Sequence, residues 1–120
     1  MYKIDSDKNI HVTRGNRATI RLKAKNDETF KVDDVIKFSI VERKDYDNVI
    51  FQKRFVCSQE SSTFDITLTS EDLKIGDIIS KPVKYWYEIE YNGVVTPIGY
   101  DDIGAKLFVL YPEAPEKEEE

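Results

Sequence analysis

The chain has 120 residues, a formal net charge of −5, 40% hydrophobic and 34% charged residues, and a single cysteine. That length holds one domain with its own buried core, and one cysteine excludes an internal disulfide and any cysteine-based zinc site. Much of the charge sits in EAPEKEEE at residues 113–120, so residues 1–112 are close to neutral, with no clustered basic excess of the kind that binds nucleic acid.

The chain opens MYKIDSDKNI, with neither a basic n-region nor an apolar stretch, so no signal peptide is expected. No apolar run approaches the ~20 residues that a membrane helix needs, and no membrane association is expected. Asp5, Asp7 and Asn9 copy the first half of a calcium loop, but Ile10 stands where that loop needs glycine and Asn16 where it needs glutamate. A polar turn is the expectation there, and no metal or cofactor is assigned. His11 alternates with Ile10 and Val12 and is expected to point outward, with no nucleophile motif to make it a catalyst.

From here the dominant period is two. Gly15-Asn16 predicts a reversal. RATIRLKAK then puts Ala18, Ile20, Leu22 and Ala24 on one face and Arg17, Thr19, Arg21, Lys23 and Lys25 on the other. That basic stripe is the wet side of a strand, a guard on a sheet edge, or a contact for an acidic partner. Asp33-Asp34 lies at a strand boundary, where aspartate favours turns. VIKFSIVE repeats the alternation with Ile36, Phe38 and Ile40. Residues 45–48 read as a turn. NVIFQKRFV assigns Val49, Phe51 and Phe55 to the core face, with Lys53 interrupting it. Cys57 ends that strand with only Arg54 as a basic neighbour, so an inert thiol is expected.

STFDITLT gives Phe64, Ile66 and Leu68 one face. TSEDLKIG is the only helical signal: Thr69 or Ser70 caps one or two turns and Gly76 stops them. In YWYEIEY, Tyr85, Tyr87, Ile89 and Tyr91 share a core-like face, and Trp86 faces the other way with Glu88 and Glu90. Asn92-Gly93 predicts a tight hairpin. Tyr100 has no assigned face, and Asp101-Asp102 marks another boundary. KLFVLY is apolar on both faces, as a central strand would be. Residues 113–120 are expected to be a disordered acidic tail.

Seven or so short strands with little helix to cover a sheet imply sheet packed on sheet. The expected fold is all-β: an immunoglobulin-like antiparallel β-sandwich over residues 1–112 with one short helical turn. Trp86, Tyr100, Arg17, Arg21 and Lys23 are the candidate interaction residues; no catalytic residue is assigned.

Four stretches in this order carry a resemblance: IHVTRGNRATIRL at 10–22, FDITLTSEDLKIGD at 64–77, YWYEIEY at 85–91 and GAKLFVLYP at 104–112. Together they resemble the N-terminal domain of phage upper baseplate proteins and small related prophage proteins of Gram-positive bacteria. Asn16 stands where the usual opening has aspartate. The resemblance implies an immunoglobulin-like module without catalytic residues, a virion structural protein that joins other tail or baseplate proteins or forms a homo-oligomer. It implies a bacterial cytoplasmic location during assembly and a place in the virion afterwards. The rival reading is a small carbohydrate-binding module, in which Trp86, Tyr100 and a carboxylate such as Asp101 hold a glycan.

Overall fold

A computed structural model describes residues 2–24, 28–42, 48–76, 79–95, 100–101 and 104–113. The strands are β1 (Tyr2–Ile4), β2 (Ile10–Thr13), β3 (Ala18–Lys23), β4 (Val35–Val41), β5 (Val49–Val56), β6 (Thr63–Leu68), β7 (Val83–Tyr91), β8 (Val94–Val95), β9 (Tyr100–Asp101) and β10 (Gly104–Tyr111). The larger sheet runs β1-β2-β10-β7-β4-β5, with β8 beside β7 and β9 beside β10; the smaller is β3-β6. Strands β4, β7 and β10 occupy the places of C, F and G in an immunoglobulin domain, β5 that of C′, and β3 and β6 those of B and E. The fold is the expected all-β sandwich.

One pairing departs from an all-antiparallel arrangement. β2 lies parallel to β10, with Ile10 opposite Phe108 and Thr13 opposite Tyr111. Parallel neighbours need a long crossover, and here nearly the whole domain supplies it. β10 is therefore central, as its two apolar faces require.

The alternating residues meet between the sheets. From the large sheet come Ile10, Val12, Ile36, Phe38, Ile40, Tyr87, Ile89, Phe108 and Leu110; Ala18, Ile20, Leu22, Ile66 and Leu68 face them from the small one. Phe38 sits at the centre, fully buried, stacked on Tyr87 at 5.8 Å and edge-on to Phe108 at 6.3 Å. The Tyr87 hydroxyl leaves the core by donating to the Lys8 carbonyl at 2.5 Å, which makes a large polar ring tolerable there.

One face assignment is corrected. A bulge between Ile40 and Val41 sets Val41 opposite Val49 and skips Ile50. Ile50 and Phe51 pack against the core together, while Val49 is 49% exposed. The inserted residue reverses the phase of the strand beyond it, so Val49 leaves the Phe51 face.

The turns follow their residues. Asn92 and Gly93 both have positive φ, 48° and 86°, as a type I′ hairpin demands. Asn48 closes the β4–β5 connection by accepting from Glu42 N at 3.1 Å; the other residues of that expected turn, 45–47, lie outside the described residues. At 69–73 one helical turn forms. Thr69 Oγ1 accepts from Asp72 N at 3.1 Å, and Asp72 Oδ2 accepts from Thr69 N at 2.9 Å, a reciprocal cap. Thr69 is thus the cap. The Ser70 hydroxyl instead donates to the Gly15 carbonyl at 2.5 Å.

Each end of the sandwich is fastened by one polar side chain. At one end, Asp34 accepts from Lys31 N at 2.8 Å, from Asn92 Nδ2 at 3.1 Å and from the Tyr91 hydroxyl. Those bonds hold the Asp34 carboxyl below its usual range and push the Tyr91 phenol up to about 12. At the other end, Arg14 donates to the Ile75 and Gly76 carbonyls at 3.1 and 2.6 Å and pairs with Glu113 at 2.7 Å. Glu113, first residue of the expected tail, is thereby tied down; residues 114–120 lie outside the described residues.

Replacing Phe38 by alanine should lower the unfolding free energy by about 3–5 kcal/mol, read by urea denaturation. A loss under about 1 kcal/mol would mean that the ring cluster is not the centre of the core.

Candidate interaction surface

The outward side of the large sheet is built by the residues that alternation keeps out of the core. On β7 these are Lys84, Trp86, Glu88 and Glu90. Trp86 pairs with Val41 of β4 on one side and Leu107 of β10 on the other, and Val41 pairs in turn with Val49. The result is one apolar row, Val49–Val41–Trp86–Leu107, crossing four strands. Val41 is 1% exposed although it faces away from the core, and Val109, diagonal to Trp86, is 5% exposed. Trp86 and Leu107 are half-buried. A cross-strand set of this kind shields its smaller members and leaves the larger ones at the surface.

Polar rows flank the apolar one. Toward the Asn92 hairpin lie Gln52, Ser39 and Glu88, with Gln52 Nε2 donating to Ser39 Oγ at 3.0 Å. Beyond them come Arg54, Lys37 and Glu90, the last two paired at 2.9 Å. Burial, with the neighbouring Glu90 carboxylate, pushes the Glu88 carboxyl up. Glu90 is held down, chiefly by its bond to Lys37. An open hollow of about 480 Å³ adjoins this charged row, lined by Val35, Lys37, Arg54, Glu90, Asn92 and Gly93. Opposite charges already meet within it.

On the other flank are Lys84, Val109, His11 and Lys3. His11 faces outward as expected, but it has partners there. Its Nε2 lies 2.9 Å from Asp5 Oδ2 and its Nδ1 2.8 Å from the Tyr111 hydroxyl. With Asp5 ionised, Nε2 donates to the carboxylate; Nδ1 accepts from the phenol when the ring is neutral and donates to it when the ring is charged. Asp5 also accepts from Asp7 N and Asn9 N at 2.9 and 3.0 Å. This is the polar turn that the Asp-x-Asp-x-Asn spacing suggested. The His11 bond first, then the backbone bonds, lowers the Asp5 carboxyl to about 2. The chain of carboxylate, imidazole and phenol fastens the N-terminal turn to the last strand.

The sequence-derived candidates separate in space. Trp86 lies on the outer face of the large sheet. Arg17, Arg21 and Lys23 are exposed along the small sheet, on the opposite side of the sandwich, with Arg21 Nε paired to Asp65 at 2.8 Å. Lys25 lies outside the described residues. The Tyr100 backbone pairs with Ala105, and its ring lies outside the described residues, as does Asp102. Cys57 is buried, and burial raises its thiol further from a reactive thiolate. Asp33 and Asp34 serve the turn: Asp33 has a φ of 72° and Asp34 holds the network described above.

Val41, Leu107 and Val49 are not singled out by sequence. The signal available is KLFVLY, apolar on both faces, beside an outward tryptophan. No helix among the described residues is long and apolar enough to cross a membrane. Fold and face define an immunoglobulin-like β-sandwich with an apolar row on the outside of its C′-C-F-G sheet. No protein-family model, curated protein or solved structure matches the chain.

The Asp5 carboxyl sits lower in the folded chain than its ordinary 3.8, so the stability it adds is present above that pH and is lost as pH falls toward about 2. Asp5→Asn should therefore lower the melting temperature at neutral pH, and the gap to the parent should close as the solution is acidified through that window. A gap that is constant with pH would mean that the Asp5–His11 bond adds no charge-dependent stability.

Proposed function

We propose that this chain is a non-enzymatic assembly protein of a phage or prophage tail-baseplate, and that it joins other tail or baseplate proteins through the face bearing Trp86. The observation that carries the reading is the apolar row Val49–Val41–Trp86–Leu107, flanked on this face by rows that are charged or polar except for Val109. Interface centres are enriched in tryptophan and depleted of charge, with polar rims. The resemblance of the 10–22, 64–77, 85–91 and 104–112 stretches to baseplate modules supplies the class of partner. The protein acts in the bacterial cytoplasm during assembly and then in the virion.

The carbohydrate reading has less behind it. A sugar platform needs several rings on one open surface. Tyr87 is buried, and Tyr85 and Tyr91 pack against the core. On the outer face Trp86 is flanked by aliphatic side chains instead.

The test is binding to purified phage tail and baseplate proteins, followed by calorimetry or light scattering, with the parent and Trp86→Ser. Truncating a central anchor costs about 2 kcal/mol or more, so binding should weaken roughly thirtyfold. Unchanged binding would overturn this choice of face. Glycan binding lost in Trp86→Ser would favour the carbohydrate reading.

A further inference from the structure

The face around Trp86 is complementary to itself. Lys84 and Glu88 stand two residues to either side of Trp86 on β7 and point the same way. Lys84 is exposed and has no ion pair among the described residues. Glu88 is half-buried beside the Glu90 carboxylate, and the cation they share, Lys37, makes its salt bridge with Glu90. One flank of the apolar row thus offers an unpaired cation, and the other a partly desolvated carboxylate without a salt bridge of its own. A cation brought directly onto such a carboxylate offsets its desolvation.

Resting on the assembly reading above, we infer that the first partner of this face is a second copy of the chain, packed sheet to sheet about a two-fold axis that lies along the row Val49–Val41–Trp86–Leu107. Rotation about that line turns the second copy over and reverses its strand direction. Apolar row then meets apolar row. Lys84 of each copy comes opposite Glu88 of the other, twice, because a two-fold contact is isologous. An axis along the strands would instead set Glu88 against Glu88 and Lys84 against Lys84. Charge therefore selects between the two ways of stacking the same face.

The size is sufficient. Its six strands have three, four, eight, nine, seven and eight residues; at about 4.8 Å by about 3.3 Å per residue they give a face of roughly 600 Å², where standard interfaces begin. A standard interface buries about 800 Å² on each partner. β5 ends the sheet among the described residues, and its backbone edge has no part in this contact.

The experiment is sedimentation velocity at up to about 100 μM on the full chain. It compares the parent, Lys84→Glu, Glu88→Lys, the double variant, and an equimolar mixture of the two single variants. The parent should be a dimer. Each single variant faces like charge twice and should dissociate at least about tenfold more readily. The double variant should recover. So should the mixture, because a chain with carboxylates at both positions then faces a chain with lysines at both. Recovery in the mixture also shows that both single variants are folded. A parent that stays monomeric, single variants that dimerise like the parent, or a mixture that fails to recover would each overturn the proposal. If the parent is monomeric yet binds a tail protein through Trp86, the assembly reading stands and only the second copy is refuted.

Discussion

A strand that is apolar on both faces needs cover on both faces, and β10 is such a strand. Phe108 and Leu110 close the core from within, both fully buried. Leu107 and Val109 point the other way, where no second layer is present among the described residues. Trp86 is what stands beside them, as the direct neighbour of Leu107 and the diagonal neighbour of Val109. The burial of Val109 and Val41 on a face turned away from the core follows from that cross-strand cluster. The half-buried tryptophan and leucine left at its surface follow as well.

The rest of the fold serves to hold β10 in the middle. Its parallel pairing with β2 joins the two ends of the chain. That joint is fixed at three points: the Asp5–His11–Tyr111 bonds on the outer face, Arg14 N donating to the Tyr111 carbonyl at 2.9 Å, and the Arg14 side chain on Glu113. Pairing is least favourable entropically when its partners lie far apart along the chain. Side-chain bonds that lock both ends offset that cost. They also explain why Asn9, His11 and Arg14 serve architecture: Asn9 Oδ1 accepts from Leu107 N, His11 meets the Tyr111 hydroxyl, and Arg14 pairs with Glu113.

Much of this is legible in the sequence, and where it is not the reason is specific. Alternation places Tyr85, Tyr87, Ile89 and Tyr91 inside and Trp86 outside, because a strand leaves a side chain no third direction. It fails at Val49, because a bulge adds one residue and nothing in NVIFQKRFV marks where. It also cannot show that Val41, Trp86 and Leu107 share a row. Those residues are far apart along the chain, and register between strands is a tertiary property. The Tyr111 partner of His11 is hidden for the same reason, being 100 positions away. Chemistry groups the basic residues Arg17, Arg21 and Lys23 with Trp86, and the two sheets put them on opposite sides.

Because Trp86 is the chain's one tryptophan, its fluorescence reports directly on the face at issue. Followed through a dilution series alongside light scattering, its emission maximum should move to longer wavelength over the same concentrations at which the particle mass falls. Emission that holds constant while the complex comes apart would put the contact on some other surface and contradict the role given to this one.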